Sequence, residues 1–140
     1  MGVIAGLVVF TLVFSLAPNL VWVIIGAEEI DAPCNNFDDS PTLAAWLVVE
    51  GSVGIFVNLV SIPLFLIGGP GIMALNGVAS LFFLAWNIIG AYRLSQDYIC
   101  EEFNTRLYNT ALAAVIYGFV ALFCGLLQVG GSKKGHDDDQ

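Results

Sequence analysis

The fold of this chain is decided by residues 41–67, which read PTLAAWLVVEGSVGIFVNLVSIPLFLI. The stretch is almost wholly apolar, and Glu50 is its one charged residue. About 20 apolar residues in a helix cross the hydrocarbon core of a bilayer, so this stretch is long enough to span one. Ser40, just before this stretch, offers a capping hydroxyl, and Pro41 is the first residue of the stretch. A capping hydroxyl followed by proline is typical of a helix start. Residues 42–67 are therefore predicted to be a transmembrane helix.

Further apolar stretches on both sides predict three more spans, at residues 3–25, 72–92 and 107–128. Pro18 interrupts the first, which a membrane helix tolerates where a neighbouring group satisfies the freed carbonyl. Residues 68–71, GGPG, are long enough only for a tight reversal. The sequence thus predicts an all-α fold. It is a single-domain four-helix transmembrane bundle with antiparallel consecutive helices, short loops and a polar C-terminal tail at 129–140, where a glycine pair ends the last helix.

Composition places the chain in the membrane class. Of its 140 residues 58% are hydrophobic and 11% are charged, whereas about a quarter of the residues in soluble domains are charged. A chain of this size cannot hide so much apolar surface from water, because small domains have a high surface-to-volume ratio.

A cleaved signal peptide is the competing interpretation of the first stretch. It lacks the basic start and the small-residue cleavage site of such peptides.

Charge predicts the orientation of the spans. The chain has four Lys and Arg residues. Lys133 and Lys134 lie in the tail, and Arg93 and Arg106 flank the third loop. The first loop has no basic residue, and its acidic residues are Glu28, Glu29, Asp31, Asp38 and Asp39. Because cytoplasmic loops carry the excess of basic residues, both termini are predicted to be cytoplasmic and the first and third loops extracellular or lumenal.

Aromatic residues give a second indication of where the spans end. They cluster toward the outer ends of the predicted spans and are Trp22, Trp46, Trp86, Tyr92 and Tyr98. This distribution is typical of an aromatic belt at the membrane–water interface.

Two of the three cysteines, Cys34 and Cys100, lie in the two outer loops. Because those loops face an oxidising compartment in the predicted orientation, the cysteines are predicted to form a disulfide that joins one helical hairpin to the other. Two free thiols are the alternative. Cys124 lies in the last span and is expected to be a small buried apolar residue.

Short runs along the chain resemble a known family. In the first half they are IGA at 25–27, DAPC at 31–34, Pro41 and WLVVEGSVG at 46–54; in the second they are LAWNIIGAY at 84–92, YIC at 98–100 and LY at 107–108. In this order they resemble the transmembrane protein 272-like family. The resemblance implies a small four-span protein with cysteines in its outer loops, and it implies no biochemical activity. The chain departs from the family at Glu50, where a glycine is usual, and in the shorter connection between spans two and three.

Glu50 is the main candidate for chemistry within the membrane. It lies about 12 Å into its span at the rise of a helix, where a charge is costly and usually faces protein or water. The functional interpretation is an ion- or proton-handling carboxylate, assisted by Asn58, Asn76, Asn87 or Tyr117. In the alternative, Glu50 joins helices or meets a partner subunit. The three asparagines are expected to hydrogen-bond across helices.

The remaining residues argue against catalysis. The sequence offers no nucleophile–base pair, phosphate-binding loop, metal-ligand cluster or basic nucleic-acid face, and its one histidine, His136, lies in the tail. We therefore expect no enzyme, cofactor, metal site or nucleic-acid partner. The predicted function is a structural or auxiliary membrane subunit that packs within a larger assembly or against copies of itself in the bilayer. A small channel or transporter that uses Glu50 is the main alternative, and a lipid- or pigment-associated scaffold is the third.

Overall fold

The computed structural model describes residues 12–32, 41–67, 71–96 and 98–131, together with Gly6 and Val9. Its regular elements are all helical, which confirms the predicted class. The helices are α1 (Ala17–Glu28), α2 (Leu43–Ile67), α3 (Gly71–Gln96), α4 (Tyr98–Phe103) and α5 (Thr105–Gly131), and a π-helical turn at Leu12–Leu16 leads into α1.

Three of these helices contain segments long and apolar enough to cross a bilayer. The segments are Leu43–Ser61 in α2, Met73–Gln96 in α3 and Thr105–Cys124 in α5. These candidate spans are those of a multi-pass membrane protein. A shorter apolar segment, Val13–Glu28, covers α1 and the turn before it. Most of the predicted first span that precedes this segment lies outside the described residues.

The helices extend beyond their predicted bounds. Helix α3 continues to Gln96, and α4 occupies what was predicted to be an irregular polar loop. These additional helical residues contribute to packing, since Leu94 and Cys100 both lie in the protein core. Helix α5 begins earlier than predicted because Asn104 caps it, accepting a hydrogen bond from the backbone N–H of Leu107 at 3.1 Å. It also runs through the glycine pair that was expected to end it.

The core lies at the end of the molecule where α4 packs. Its buried side chains come from the middle of α1, the end of α3, the first half of α2, α4 and the first half of α5. Among them are Trp22, Leu43, Trp46, Leu47, Leu94, Cys100, Leu107, Ala111, Ala114 and Val115. The expected aromatic belt is therefore wrong for Trp22 and Trp46, which lie in this core. Tyr92 is exposed.

Toward the other end of α2, α3 and α5 the large apolar side chains are exposed. Examples are Phe56, Leu59, Met73, Val78, Leu81, Val120 and Phe123. A surface of this kind is expected for segments surrounded by lipid or by other membrane proteins. The two ends therefore differ, with a packed core at one and apolar surface at the other.

Small residues let α1 approach α2 closely. A methyl group added to Gly26 would lie 2.8 Å from the backbone oxygen of Ala44, so only glycine fits. The Asn19 amide lies against Gly54 in the same way. In the π-helical turn before α1, Ser15 Oγ donates a hydrogen bond to the side-chain oxygen of Asn58 at 2.8 Å. Close packing and interhelical hydrogen bonds of this kind hold membrane helices together.

The Pro18 interruption is accommodated by neighbouring donors. Proline has no N–H, so Phe14, four residues earlier, lacks its α-helical donor. The hydroxyl of Tyr117 in α5 donates to the Phe14 carbonyl at 2.9 Å. The Asn19 amide donates to the Ser15 carbonyl at 2.6 Å. The structure thus supplies the partner group that a proline in a membrane helix requires.

Candidate functional site

The candidate site is a contact between Glu50 of α2 and Asn87 of α3. Both side chains are buried, with Glu50 2% and Asn87 0% exposed. Asn87 Nδ2 lies 3.4 Å from Glu50 Oε1, which is a long hydrogen bond, and it also donates to the Phe83 carbonyl at 2.8 Å. The second bond fixes the orientation of the amide, because its nitrogen faces one carbonyl oxygen and one carboxyl oxygen.

A third helix closes the site. Gly118 of α5 lies directly against the Asn87 amide, and a methyl group at this position would overlap it. Three helices therefore meet at Asn87, with a carboxyl group on one, an amide on the second and a bare backbone on the third.

Two tryptophans beside the site hold α2 and α3 together: Trp46, one turn before Glu50, and Trp86, which directly precedes Asn87. Trp46 Nε1 donates to the Trp86 carbonyl at 2.8 Å, and Trp86 Nε1 donates to the Trp46 carbonyl at 3.3 Å. The Trp46 indole fits because Gly90 offers no side chain where the ring lies. Phe82 stacks on Trp86, with the ring centroids 5.7 Å apart. The reciprocal Trp46–Trp86 bonds thus fix the positions of α2 and α3 where Glu50 meets Asn87.

Two oxygens of the site have no hydrogen-bond partner among the residues that the structure describes. They are Glu50 Oε2 and Asn87 Oδ1, and both are fully enclosed. A buried oxygen without a donor costs about 1–3 kcal/mol. The site therefore lacks hydrogen-bond donors.

The surroundings offer Glu50 no positive charge among the described residues. Its only hydrogen bond there is the one to Asn87. Arg106 pairs with Glu28 at 2.9 Å and with Glu29 at 3.8 Å at the end of the bundle. Arg93 lies six residues beyond Asn87, about 9 Å along α3 at the rise of a helix.

Of the residues proposed to assist Glu50, the structure brings only Asn87 to it. Asn58 bonds Ser15 and donates to the Gly54 carbonyl at 2.8 Å. Asn76 is exposed on α3. Tyr117 is bonded to Phe14 and packs edge-on against Trp22, with the ring centroids 5.4 Å apart.

A polar cluster joins the end of α1 to the start of α5. Besides the Arg106 ion pairs, Asn104 Nδ2 donates to Glu29 Oε2 at 2.6 Å. The sequence places Glu28 and Glu29 in the first loop and does not show their partners. The one sequence feature that could have indicated these ion pairs is Arg106, the basic residue at the edge of the third loop.

The cysteines differ in environment. Cys100 is fully buried, while its predicted partner, Cys34, lies outside the described residues. The pairing itself stays a prediction. Cys124 is a free thiol and is exposed, so the prediction that it is buried was wrong. His136 and the rest of the polar tail also lie outside the described residues. Within the described ranges, no three His, Cys, Asp or Glu side chains come together as metal ligands would.

Comparisons with protein-family models, with curated proteins and with solved structures each find no match.

Proposed function

We propose that this chain is a structural or auxiliary subunit of a membrane assembly, packing against larger partners or copies of itself within the bilayer. The observation that carries this proposal is that polar side chains in the apolar helices form hydrogen bonds from one helix to another. Ser15 bonds Asn58, Trp46 exchanges bonds with Trp86, and Glu50 meets Asn87. These polar side chains therefore stabilise helix packing, as expected for a structural subunit.

The exposed surface of α3 supports the same proposal. Of an 18-residue apolar stretch within Met73–Gln96, only 11% is buried within the chain. Its exposed residues include Val78, Leu81, Leu84 and Ile88, at spacings that place most of them on one side of a helix. A helix with this much free apolar surface has room for lipid and for other transmembrane helices.

Co-purification tests the subunit role. Two differently tagged copies would be co-expressed, extracted in a mild detergent and captured on one tag. The proposal expects the second tag, or a stoichiometric membrane partner identified by mass spectrometry, in the eluate. A monomer without a partner, both in detergent and in nanodiscs, would reject the subunit role.

The proposed architecture is four spans with antiparallel consecutive helices, as the resemblance to the transmembrane protein 272-like family implies. The order of contacts supports it. Gly26 meets Ala44 whereas the earlier Ser15 meets the later Asn58. Likewise, Trp46 meets Gly90 whereas Glu50 meets the earlier Asn87. Between α1 and α2, and between α2 and α3, later residues of one helix contact earlier residues of the other, as in antiparallel packing.

The proposed orientation puts both termini in the cytoplasm and the two cysteine loops outside or in a lumen. Its support is the charge asymmetry of the loops. Single cysteines placed in the first loop or in the tail of a cysteine-free variant would be labelled with a membrane-impermeant maleimide in intact cells. Labelling of the tail position but not the loop position would contradict the orientation.

A small channel or transporter is the second candidate, and the observation that favours it is the buried, unpartnered Glu50 Oε2. Reconstituted liposomes test it directly. A carboxylate-dependent pathway expects ion or proton flux that falls at least tenfold in Glu50→Gln. Equal flux in the two proteins, or no flux above empty liposomes, would reject this role.

A further inference from the structure

We propose that Glu50 and Asn87 form a neutral carboxylic acid–amide pair, in which Glu50 Oε2 holds a proton and donates it to Asn87 Oδ1. The contact is then a proton-binding site built across two helices. The proposal rests on the geometry of the pair and does not depend on the subunit role.

The hydrogen-bonding inventory of the two side chains leads to this assignment. An ionised Glu50 has only acceptors, and Asn87 Oδ1 is also an acceptor. The two enclosed oxygens without partners are one from each side chain of a pair that is already in contact. One proton on the carboxyl group supplies the single donor that both oxygens lack.

Turning the Asn87 amide over does not solve the same problem. Its nitrogen donates to the Phe83 carbonyl at 2.8 Å and faces Glu50 Oε1 at 3.4 Å. A flipped amide would place its oxygen against these two oxygens and would lose both bonds. The orientation is therefore set by the contacts, and the missing donor has to come from Glu50.

Charges on the surrounding helices do not stabilise a carboxylate at this position. Glu50 is the only charged residue within α2. On α5, Arg106 is paired with Glu28 and Glu29 at the far end of the contact between α1 and α5. On α3, Arg93 lies about 9 Å further along the helix. The described part of α1 adds only acidic residues at its end, and a second negative charge disfavours another.

The neutral pair also explains how a carboxyl group is accepted between apolar helices. An unpaired charge inside a membrane protein is costly, whereas a fully hydrogen-bonded neutral pair is not. The pair would form two parallel bonds, O–H to Oδ1 and Nδ2–H to Oε1. Gln is then the matched replacement for Glu50, because its amide can give and accept the same two bonds.

Infrared spectroscopy of the full chain in lipid tests the proposal. A protonated carboxyl group has a C=O stretch that is separate from carboxylate and amide bands and shifts in D2O. We expect wild-type protein at neutral pH to show one such band and Glu50→Gln to lose it. Glu101→Gln, which changes an exposed carboxyl outside the candidate spans, is the matched control and should keep it.

The Asn87→Ala variant tests the partner. Removing the amide should move the band to higher frequency, because the C=O group of the acid loses its hydrogen-bond donor. Absence of the band from wild-type protein would overturn the proposal, whatever the fate of the variants. A band that persists in Glu50→Gln, or that stays unmoved in Asn87→Ala, would also overturn it. None of these outcomes bears on the oligomeric state, which tests the subunit role separately.

Discussion

Trp46 and Trp86 each donate the indole N–H to the backbone carbonyl of the other, at 2.8 Å and 3.3 Å, across the contact between α2 and α3. Both side-chain donors are thereby satisfied, as the N–H of a tryptophan packed between helices requires. The reciprocal arrangement fixes the rotation of one helix against the other. Trp46 lies one turn before Glu50 and Trp86 directly precedes Asn87, so the pair also sets the distance between Glu50 and Asn87.

The two tryptophans are expected to differ in their contribution to stability. Trp46→Phe should lower the free energy of unfolding by about 2 kcal/mol, because it loses a bond and leaves a cavity in a fully buried site. Trp86→Phe should cost about 1 kcal/mol, since its bond is longer and its ring is only half-buried. Unfolding in SDS-containing mixed micelles measures both. Tyr92→Phe, on the exposed side of α3, is the control and should change little. Equal losses for the two tryptophan variants would contradict the asymmetry.

Close helix contacts predict which glycines cannot be replaced. Gly90→Ala would drive a methyl group into the Trp46 indole, and Gly118→Ala would drive one into the Asn87 amide. Each should destabilise the chain by about 1–3 kcal/mol through overpacking. Gly77→Ala is the matched control, because no atom of the described part of the chain lies within 4 Å of the added methyl group. It should be neutral or slightly stabilising, since alanine favours helix.

The same unfolding assay separates these glycine variants. A loss for Gly77→Ala as large as that for Gly90→Ala, on the same helix, would show that backbone effects and not contacts decide the outcome.

Most of the helices could be predicted from the sequence, because a membrane span depends on length and apolar composition. The helix over Leu43–Ile67 follows from a stretch with one charge. Helix α4 could not be predicted in this way. It is only six residues long, and its burial depends on α3, α5 and the core, which no local pattern displays.

The site was only partly predictable, for a similar reason. Glu50 stands out as a lone charge in an apolar run, but its partner could have been any of several polar residues. Asn58, Asn76 and Asn87 all lie in apolar helices, and their spacing does not tell which helix each one faces. The roles of Gly90 and Gly118 were also hidden, because glycine is frequent in this chain and only packing shows which positions are crowded.

The Tyr117 hydroxyl is expected to matter because of Pro18. Tyr117→Phe keeps the edge-on ring contact with Trp22 and removes the donor to Phe14, and it should cost about 1 kcal/mol. In a Pro18→Ala background the residue at position 18 regains an N–H that can serve Phe14. In that background, Tyr117→Phe should cost less than about half of the stability that it costs in the wild-type protein.

A double-mutant cycle with these two changes measures the coupling. Additive effects, with the same cost of Tyr117→Phe in both backgrounds, would show that the hydroxyl does not compensate for the proline.

The cluster between α1 and α5 should owe its stability to the cap more than to the ion pair. Asn104→Ala removes both the cap of α5 and the bond to Glu29, and it should cost about 1 kcal/mol. Arg106→Gln should cost less than about 0.5 kcal/mol, because the Arg106 side chain is 58% exposed and its pairs are screened by water. Only the Arg106 effect should shrink as salt is raised. The reverse ranking at high salt would contradict this assignment.

The proposed disulfide between Cys34 and Cys100 predicts the number of thiols open to alkylation. The chain has three cysteines, and Cys124 is a free thiol. Protein denatured without reduction should therefore gain one maleimide adduct, on Cys124, and protein denatured after reduction should gain three. Peptide mapping places each adduct, and Cys124→Ser is the control that removes the first. Loss of a bond closing so long a loop should lower stability by about 4 kcal/mol in the chain-entropy model.

Other adduct patterns would identify a different state. Adducts on Cys34 and Cys100 before reduction would establish the alternative of free thiols. A bond between two copies would give the same adduct counts, but it would double the mass on a non-reducing gel. Because the intramolecular bond links the loop after α1 to α4, it should hold the two helical hairpins together in detergent. Reduction should therefore lower the unfolding midpoint of wild-type protein and leave Cys34→Ser unchanged.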